Sequence, residues 1–200
     1  IIGDPNQLRH VASPFADSDQ EAAAQFGVAP EAFLYNTHSL FGIAERSAGT
    51  LPGTLLLKEH YRCDPRIIEF SNEEFYNREL LIRTNMLWRG ISKDLAEIAC
   101  GVFWLHVDGK AEHPPKGSAF NQAELRTVQD LVPQLLRALA QHRMSEATLG
   151  IVTPYREQAN RLQRWVTNEF GDSDRIVVGT AHTFQGNERD IMIFSPVLAP

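Results

Sequence analysis

The 200-residue sequence carries a formal net charge of -6 and contains 43% hydrophobic residues, a composition typical of a folded globular protein. The negative charge argues against a protein whose entire surface binds nucleic acid, because phosphate binding needs clustered Lys and Arg, but it allows a local groove. No run reaches the roughly 18 uninterrupted apolar residues of a membrane span and no secretory signal begins the chain. We therefore expect a cytoplasmic protein, or a nuclear one if the organism is eukaryotic, without a membrane partner.

The first predicted elements are a strand end followed by helical segments. The chain opens on two isoleucines that lead directly into a polar loop, so we expect it to be a piece of a longer protein that begins inside a strand. A helical pattern runs from Ser18 to Arg46, with Gly27 as a stop and Pro30 as a first-turn residue. Residues 47–54, with two Gly and one Pro, are predicted to form a linker.

Strands alternating with helices are predicted for the rest of the chain. A strand at Leu55–Leu57 precedes a helix that begins near Asp64 with Pro65 in its first turn. A second helix is predicted after Asn121, where Glu124 completes a capping-box spacing, with Pro133 kinking or interrupting it. Residues 111–119 are predicted to form an exposed loop. The other predicted strands are Val102–Val107, Leu149–Thr153, Ile176–Val178 and Ile191–Phe194.

Polar residues follow these strands at four places, and this alternation predicts an α/β fold with a mostly parallel sheet. In such sheets ligands bind beyond the carboxyl ends of the strands. An amide can accept from a water and donate to a phosphate oxygen, a guanidinium makes forked phosphate contacts, and a helix N-terminus favours phosphate. The four places are Gly3–Leu8, His60–Arg62, Thr153–Tyr155 and Gly179–Asp190.

Together these segments resemble the motifs of superfamily 1 helicases, in the branch that contains the nonsense-mediated-decay and Dna2-type helicases. Gly3–Leu8 looks like motif III, Ser39–Phe41 and Leu57–Arg62 resemble the approach to motif IV, and Gly179–Asp190 resembles motif V. Asn121, Glu124 and Thr153–Tyr155, with Gln158, fit the middle of the second motor domain. The resemblance implies a RecA-like, mostly parallel sheet flanked by helices, preceded by a helical tail of a first motor domain. Residues 1–50 would end the first RecA-like domain, and residues 51–200 would form the second, truncated after motif V.

The resemblance also implies the nucleotide contacts. Gln7 and Arg62 would be the catalytic residues, because Gln7 would sense the γ-phosphate and its attacking water and Arg62 would contact the γ-phosphate. Tyr61 would pack on the adenine. The remaining nucleotide-binding residues would be Asp4, Gly186 and Glu188. The cofactors implied are ATP and Mg²⁺, with the Mg²⁺ ligands mainly outside this piece of the protein.

A single-stranded DNA or RNA, with DNA favoured, is the partner that the resemblance implies. Thr153, Tyr155, Thr180 and His182 would hold its sugar–phosphate backbone without reading its sequence. The sequence contains no GxxxxGK[ST] phosphate loop, so we expect this piece to need a missing first RecA-like domain and not to hydrolyse ATP alone. No obligate oligomer is predicted.

Two other classes of protein are compatible with the residues. One is a RecA-like module that binds partners without motor activity. The other is a metal-dependent nuclease or hydrolase that uses His106, Asp108 and His113, although their spacing gives no reason for them to converge. Cys63 and Cys100 lie far apart in no metal-binding pattern, so the sequence predicts neither a disulfide framework nor a metal site.

Overall fold

The structure is a computed structural model that describes residues 3–7, 16–29, 34–49, 55–84, 101–172 and 174–198. The chain forms two compact units, residues 1–102 and residues 103–200. The division predicted at residue 50 is a boundary between two RecA-like domains of the family. The two compact units do not test it, and it stays a prediction. The predicted strand end at residues 1–2, the helix start at Pro30 and residues 50–54 of the predicted linker lie outside the described residues.

The first unit combines helices with a small parallel sheet. Strand β1 (Glu59–His60) pairs in parallel with β2 (Leu81–Ile82), and α3 (Pro65–Tyr76) connects them. As predicted, α3 begins at Asp64, whose side chain accepts a hydrogen bond from the Arg66 N–H while Pro65 occupies the first turn. The other described helices of this unit are α1 (Ala16–Gln25) and α2 (Leu40–Ala48).

Two predictions for the first unit need correction. The pattern from Ser18 to Arg46 is not helical throughout, because a turn precedes α2. Within this turn, the Asn36 backbone N–H donates to the Asp19 carboxylate at 2.9 Å, and the Asn36 side-chain amide donates to the same carboxylate. The predicted strand Leu55–Leu57 is wrong, since these side chains are exposed and strand pairing begins only at Glu59. An apolar run forms a strand only where a neighbouring strand can pair with it.

The second unit is built on a three-stranded parallel sheet in the order β6-β5-β7. The strands are β5 (Leu149–Val152), β6 (Ile176–Gly179) and β7 (Ile191–Phe194), within one residue of their predicted positions. Helix α4 (Gln122–Gln141) precedes β5, and α5 (Arg156–Phe170) connects β5 to β6. The prediction of an α/β fold with short parallel sheets flanked by helices is confirmed, and this is the architecture of a RecA-like domain.

The core of the second unit lies between the sheet and helices α4 and α5. Leu149 and Ile151 of β5, Leu162 of α5 and Val132 of α4 are fully buried, and they pack in one apolar cluster. Each such side chain contributes about 1.5–3 kcal/mol when it leaves water. Burial of this size holds the sheet rigidly, so that the loops leaving its carboxyl edge start from fixed points.

Helix α4 shows why a proline does not always end a helix. Asn121 caps it as predicted, accepting the N–H groups of Ala123 and Glu124. Pro133 was predicted to kink or interrupt the helix, and the interruption is wrong, because the 20-residue helix continues through it; the kink stays a prediction. Val132 before the proline and Leu135 after it both pack on the core, and this burial offsets the lost backbone hydrogen bond.

Residues 101–121 also depart from prediction. Val102–Val107 is not a strand, and Phe103, Trp104 and Leu105 are exposed. The predicted loop at residues 111–119 begins with a short strand, since β3 (Ala111–Glu112) pairs antiparallel with β4 (Phe120–Asn121). Among the described helices, none has both the length and the apolar character needed to cross a membrane.

Candidate functional site

The Asp4 loop is organised around one carboxylate. Asp4 accepts hydrogen bonds from the Asn6 N–H at 3.0 Å, the Gln7 side-chain amide at 2.9 Å and the Tyr76 hydroxyl at 2.6 Å. Burial alone would raise the pKa of Asp4, but these three bonds outweigh it and hold the pKa below its ordinary value. Burial and the bond to Asp4 raise the pKa of Tyr76 to about 12. The structure therefore joins Asp4 to Gln7 and fixes both against the end of α3.

The turn between β1 and α3 presents Tyr61 and Arg62 on the surface. The Tyr61 ring is 55% exposed, and its hydroxyl donates to Glu59 Oε2 at 2.5 Å. His60 Nε2 accepts the Cys63 N–H at 2.9 Å, which closes the turn. Burial, and then the charge of Arg62, lower the pKa of His60, so the ring is neutral and accepts this bond at neutral pH. An exposed ring and an exposed guanidinium can stack on a base and contact a phosphate.

In the second unit, polar residues follow the strands at one edge of the sheet. Thr153 follows β5 and Thr180 follows β6, and these two strands are parallel neighbours. The Thr153 N–H donates to Gly179 O at 3.1 Å, which continues the strand ladder into the loop. Thr180 occupies the N-cap position of the short helix α6 (Ala181–Phe184) without a side-chain capping bond, and His182 is exposed on this helix. The structure thus places Thr153, Thr180 and His182 at the carboxyl edge, as their sequence positions predict.

Thr153 differs from the other residues of this edge because its side chain is fully buried. Its hydroxyl accepts the Tyr155 N–H at 3.4 Å, while the Tyr155 side chain is half-buried. In this conformation Thr153 shapes the loop before α5 and offers no surface to a ligand. Gly186 and Glu188, in the connection between α6 and β7, are exposed, and Gly186 has a φ of 80°, which favours glycine.

The predicted residues therefore fall into two groups, one in each compact unit. Asp4, Gln7, Tyr61 and Arg62 belong to the first unit. Those of the second unit are Thr153, Tyr155, Thr180, His182, Gly186 and Glu188. Among the described residues no three His, Cys, Asp or Glu side chains lie close enough together to hold a metal ion, so His106, Asp108 and His113 form no such cluster.

A buried polar network next to the carboxyl edge was not predicted from the sequence. The Glu124 carboxylate accepts the Ser195 hydroxyl at 2.5 Å, the Val197 N–H at 3.0 Å and the Asn121 side-chain amide at 3.2 Å. Gln158 accepts the Asn121 N–H at 3.0 Å and donates to Ser195 Oγ at 3.0 Å. The sequence showed Asn121 and Glu124 as a helix cap and, with Gln158, as residues that fit the second motor domain, but it did not show that they bond to one another. The signal that was missed is Ser195, a polar residue directly after a strand.

A scan against protein families finds a match to the AAA domain family over residues 37–199, which is more than half of the chain. Helicase SEN1 of Saccharomyces cerevisiae is 29% identical over 204 residues, covering 100% of this chain and 8% of the relative. Putative helicase mov-10-B.1 of Danio rerio is 27% identical, covering 98% of this chain and 20% of the relative. Probable helicase senataxin of Mus musculus is 27% identical, covering 100% and 7%.

These relatives carry the word helicase in their names, and each aligns with nearly the whole of this chain. The chain spans a fifth or less of their length, so the likeness describes a domain and not the complete relatives. The family match agrees with the parallel α/β architecture of the second unit. The chain therefore belongs to the AAA domain family and is part of a superfamily 1 helicase domain.

Proposed function

We propose that the protein containing this chain is an ATP-dependent helicase or translocase that moves along single-stranded nucleic acid. The observation that carries the proposal is the row of polar residues at the carboxyl edge of the β6-β5-β7 sheet, in a chain of helicase family. That edge is where parallel α/β sheets bind ligands. ATP binding and release would shift the protein along the strand in steps.

The nucleotide contacts proposed for the first unit are Gln7, Tyr61 and Arg62, with Asp4 as the residue that orients Gln7. All three contact residues are exposed, and the 2.9 Å bond between Asp4 and Gln7 fixes the amide direction. An oriented amide can position the water that attacks the γ-phosphate, and a guanidinium can stabilise the charge that develops on it. Gly186 and Glu188 are the nucleotide contacts proposed for the second unit.

The proposed cofactor is ATP with Mg²⁺. The donors in the first unit fit a nucleotide, since an exposed ring, a guanidinium and an amide match a base and a phosphate chain. Because no described cluster of side chains could hold a metal ion, we assign no Mg²⁺ ligand to the described residues. The sequence contains no GxxxxGK[ST] phosphate loop, and phosphoryl transfer needs such a loop and Mg²⁺-binding carboxylates, so we propose that the isolated chain does not hydrolyse ATP.

The proposed nucleic-acid contacts are Tyr155, Thr180 and His182 directly, with Thr153 included as a residue that sets the loop. Hydroxyl groups and backbone amides position a sugar–phosphate backbone without reading bases. One relative, 26% identical over 157 residues, is named DNA polymerase alpha-associated DNA helicase A of Saccharomyces cerevisiae, and this favours DNA over RNA. The alternative is a binding module without motor activity, which the following experiment separates.

The experiment measures ATP hydrolysis by the full-length protein with no nucleic acid, with single-stranded DNA and with single-stranded RNA. Stimulation by one of them identifies the strand, and Arg62→Ala should lower the stimulated rate by about a thousandfold. Arg62→Lys keeps the charge but loses the forked geometry, so its stimulated rate should lie between those of the unaltered protein and Arg62→Ala. Arg137→Ala, at an exposed position of α4, is the matched control. Hydrolysis absent under all conditions would leave the binding module as the better account.

A further inference from the structure

The first turn of α5 is bonded to residues outside its own helix. Tyr155 is its N-cap residue, yet makes no side-chain capping bond. Instead Ser118 Oγ, from the connection between β3 and β4, accepts the Glu157 N–H at 2.9 Å. The Ala159 N–H donates to Tyr155 O at 3.0 Å, so the position of Tyr155 follows the position of this turn.

Gln158 is the central anchor of that turn. It is fully buried, and both ends of its side-chain amide are bonded, to the Asn121 N–H and to Ser195 Oγ. Asn121 lies at the start of α4, and Ser195 directly follows β7. A single amide thus connects the first turn of α5 to the segment after β7 and to the start of α4.

The segment after β7 is held in a conformation that a valine rarely adopts. Val197 is fully buried with a φ of 71°, in the left-handed region where a β-branched residue is strained. The Glu124 carboxylate accepts its N–H at 3.0 Å, and the Asn121 side chain donates to its carbonyl at 3.2 Å. Backbone strain of this kind persists only where the surroundings hold the residue on several sides, and it is common at functional sites.

We propose that Gln158 is a positioning residue for the nucleic-acid site: with Glu124 and Ser195 it holds the Tyr155 loop and the segment after β7 in one fixed arrangement. This inference rests on the proposed function, since Tyr155 must contact the strand for its position to matter. Gln158 is buried and touches no ligand, so it acts only through the loop that precedes α5. Its loss therefore weakens binding of the strand more than it slows hydrolysis once the strand is bound.

The test uses the full-length protein and measures ATP hydrolysis against the concentration of oligo(dT) and of oligo(U). Gln158→Glu keeps the acceptor for Asn121 but removes the donor to Ser195, and it places a second carboxylate beside Glu124. It should raise the half-saturating oligonucleotide concentration about tenfold, with the rate at saturation changed less than about twofold. Gln163→Glu, the same change at an exposed position of α5, should leave both values unchanged.

Ser195→Ala, which introduces no charge, should shift the half-saturating concentration in the same direction as Gln158→Glu. Circular dichroism shows whether each variant is folded.

The outcomes separate the two proposals. If neither oligonucleotide stimulates the unaltered protein, the proposed function fails. If one does, and both Gln158→Glu and Ser195→Ala keep the half-saturating concentration of the Gln163→Glu control, the positioning role is overturned. It is also overturned if the saturated rate falls while that concentration stays constant.

Discussion

Replacing Glu124 by glutamine tests the buried network as a source of stability. The two carboxylate oxygens face donors only, since one accepts from Ser195 and Val197 and the other from Asn121. An amide of the same shape has one acceptor and one donor. In either orientation its NH₂ group faces a buried donor, the Val197 N–H or the Asn121 side-chain amide. At least one hydrogen bond to a charged group is therefore lost, and one donor is left without a good acceptor. We expect a loss of about 3 kcal/mol.

The assay is urea unfolding of the 200-residue chain, followed by far-ultraviolet circular dichroism, with Glu169→Gln as the control. Glu169 is exposed near the end of α5, where such a change stays within about 0.5 kcal/mol. For an m-value of about 1–3 kcal/mol per M, the Glu124→Gln midpoint should fall by about 1–3 M. Equal midpoints for the two variants would show that the carboxylate is not needed for the network, and the reasoning from donor counts would be wrong.

Three further predictions concern other parts of the chain. Leu162→Ala should lower the free energy of unfolding by about 2–5 kcal/mol in the same urea assay, because Leu162 is fully buried between α5 and the sheet. Gly179→Ala should destabilise the second unit, measured as a lower melting temperature, because the added methyl group would overlap the Thr183 side chain. Tyr76→Phe should raise the pKa of Asp4, measured by NMR titration. The pKa of folded Asp4 lies below the ordinary 3.8, so ionised Asp4 stabilises the fold fully above pH 3.8. This stabilisation is lost as the pH falls through the pKa of folded Asp4. Tyr76→Phe removes part of it, so the variant should lose less stability in acid than the unaltered chain.

Elements set by neighbouring residues were predictable from the sequence. Asp64 and Pro65 fix the start of α3, and Asn121 fixes the start of α4, because a cap depends on groups within three residues. The predicted strand Leu55–Leu57 failed because a strand needs a partner, and periodicity contains no information about where that partner lies. The strand instead forms at Glu59–His60, which pairs with β2.

The candidate site shows the same division between local and distant contacts. The sequence identified residues at strand ends, which need only the positions of the strands. It could not show that Thr153 is fully buried, or that Tyr76, 72 residues away, bonds to Asp4. The bond between Ser195 and Glu124 spans 71 residues and depends on how the fold brings the start of α4 beside the segment after β7. Contacts of this kind follow from packing, and no spacing in the sequence encodes them.

Stability and positioning are separable properties of the buried network, and the two sets of variants address them in different ways. Glu124 bonds the strained Val197, so its loss should release the segment after β7 and lower the free energy of unfolding. Gln158 connects that segment to the turn that carries Tyr155. If the network only stabilised the fold, every variant that remains folded would bind the strand with the affinity of the unaltered protein. A Gln158 variant that remains folded but binds the strand weakly would show instead that the network sets the geometry of the site.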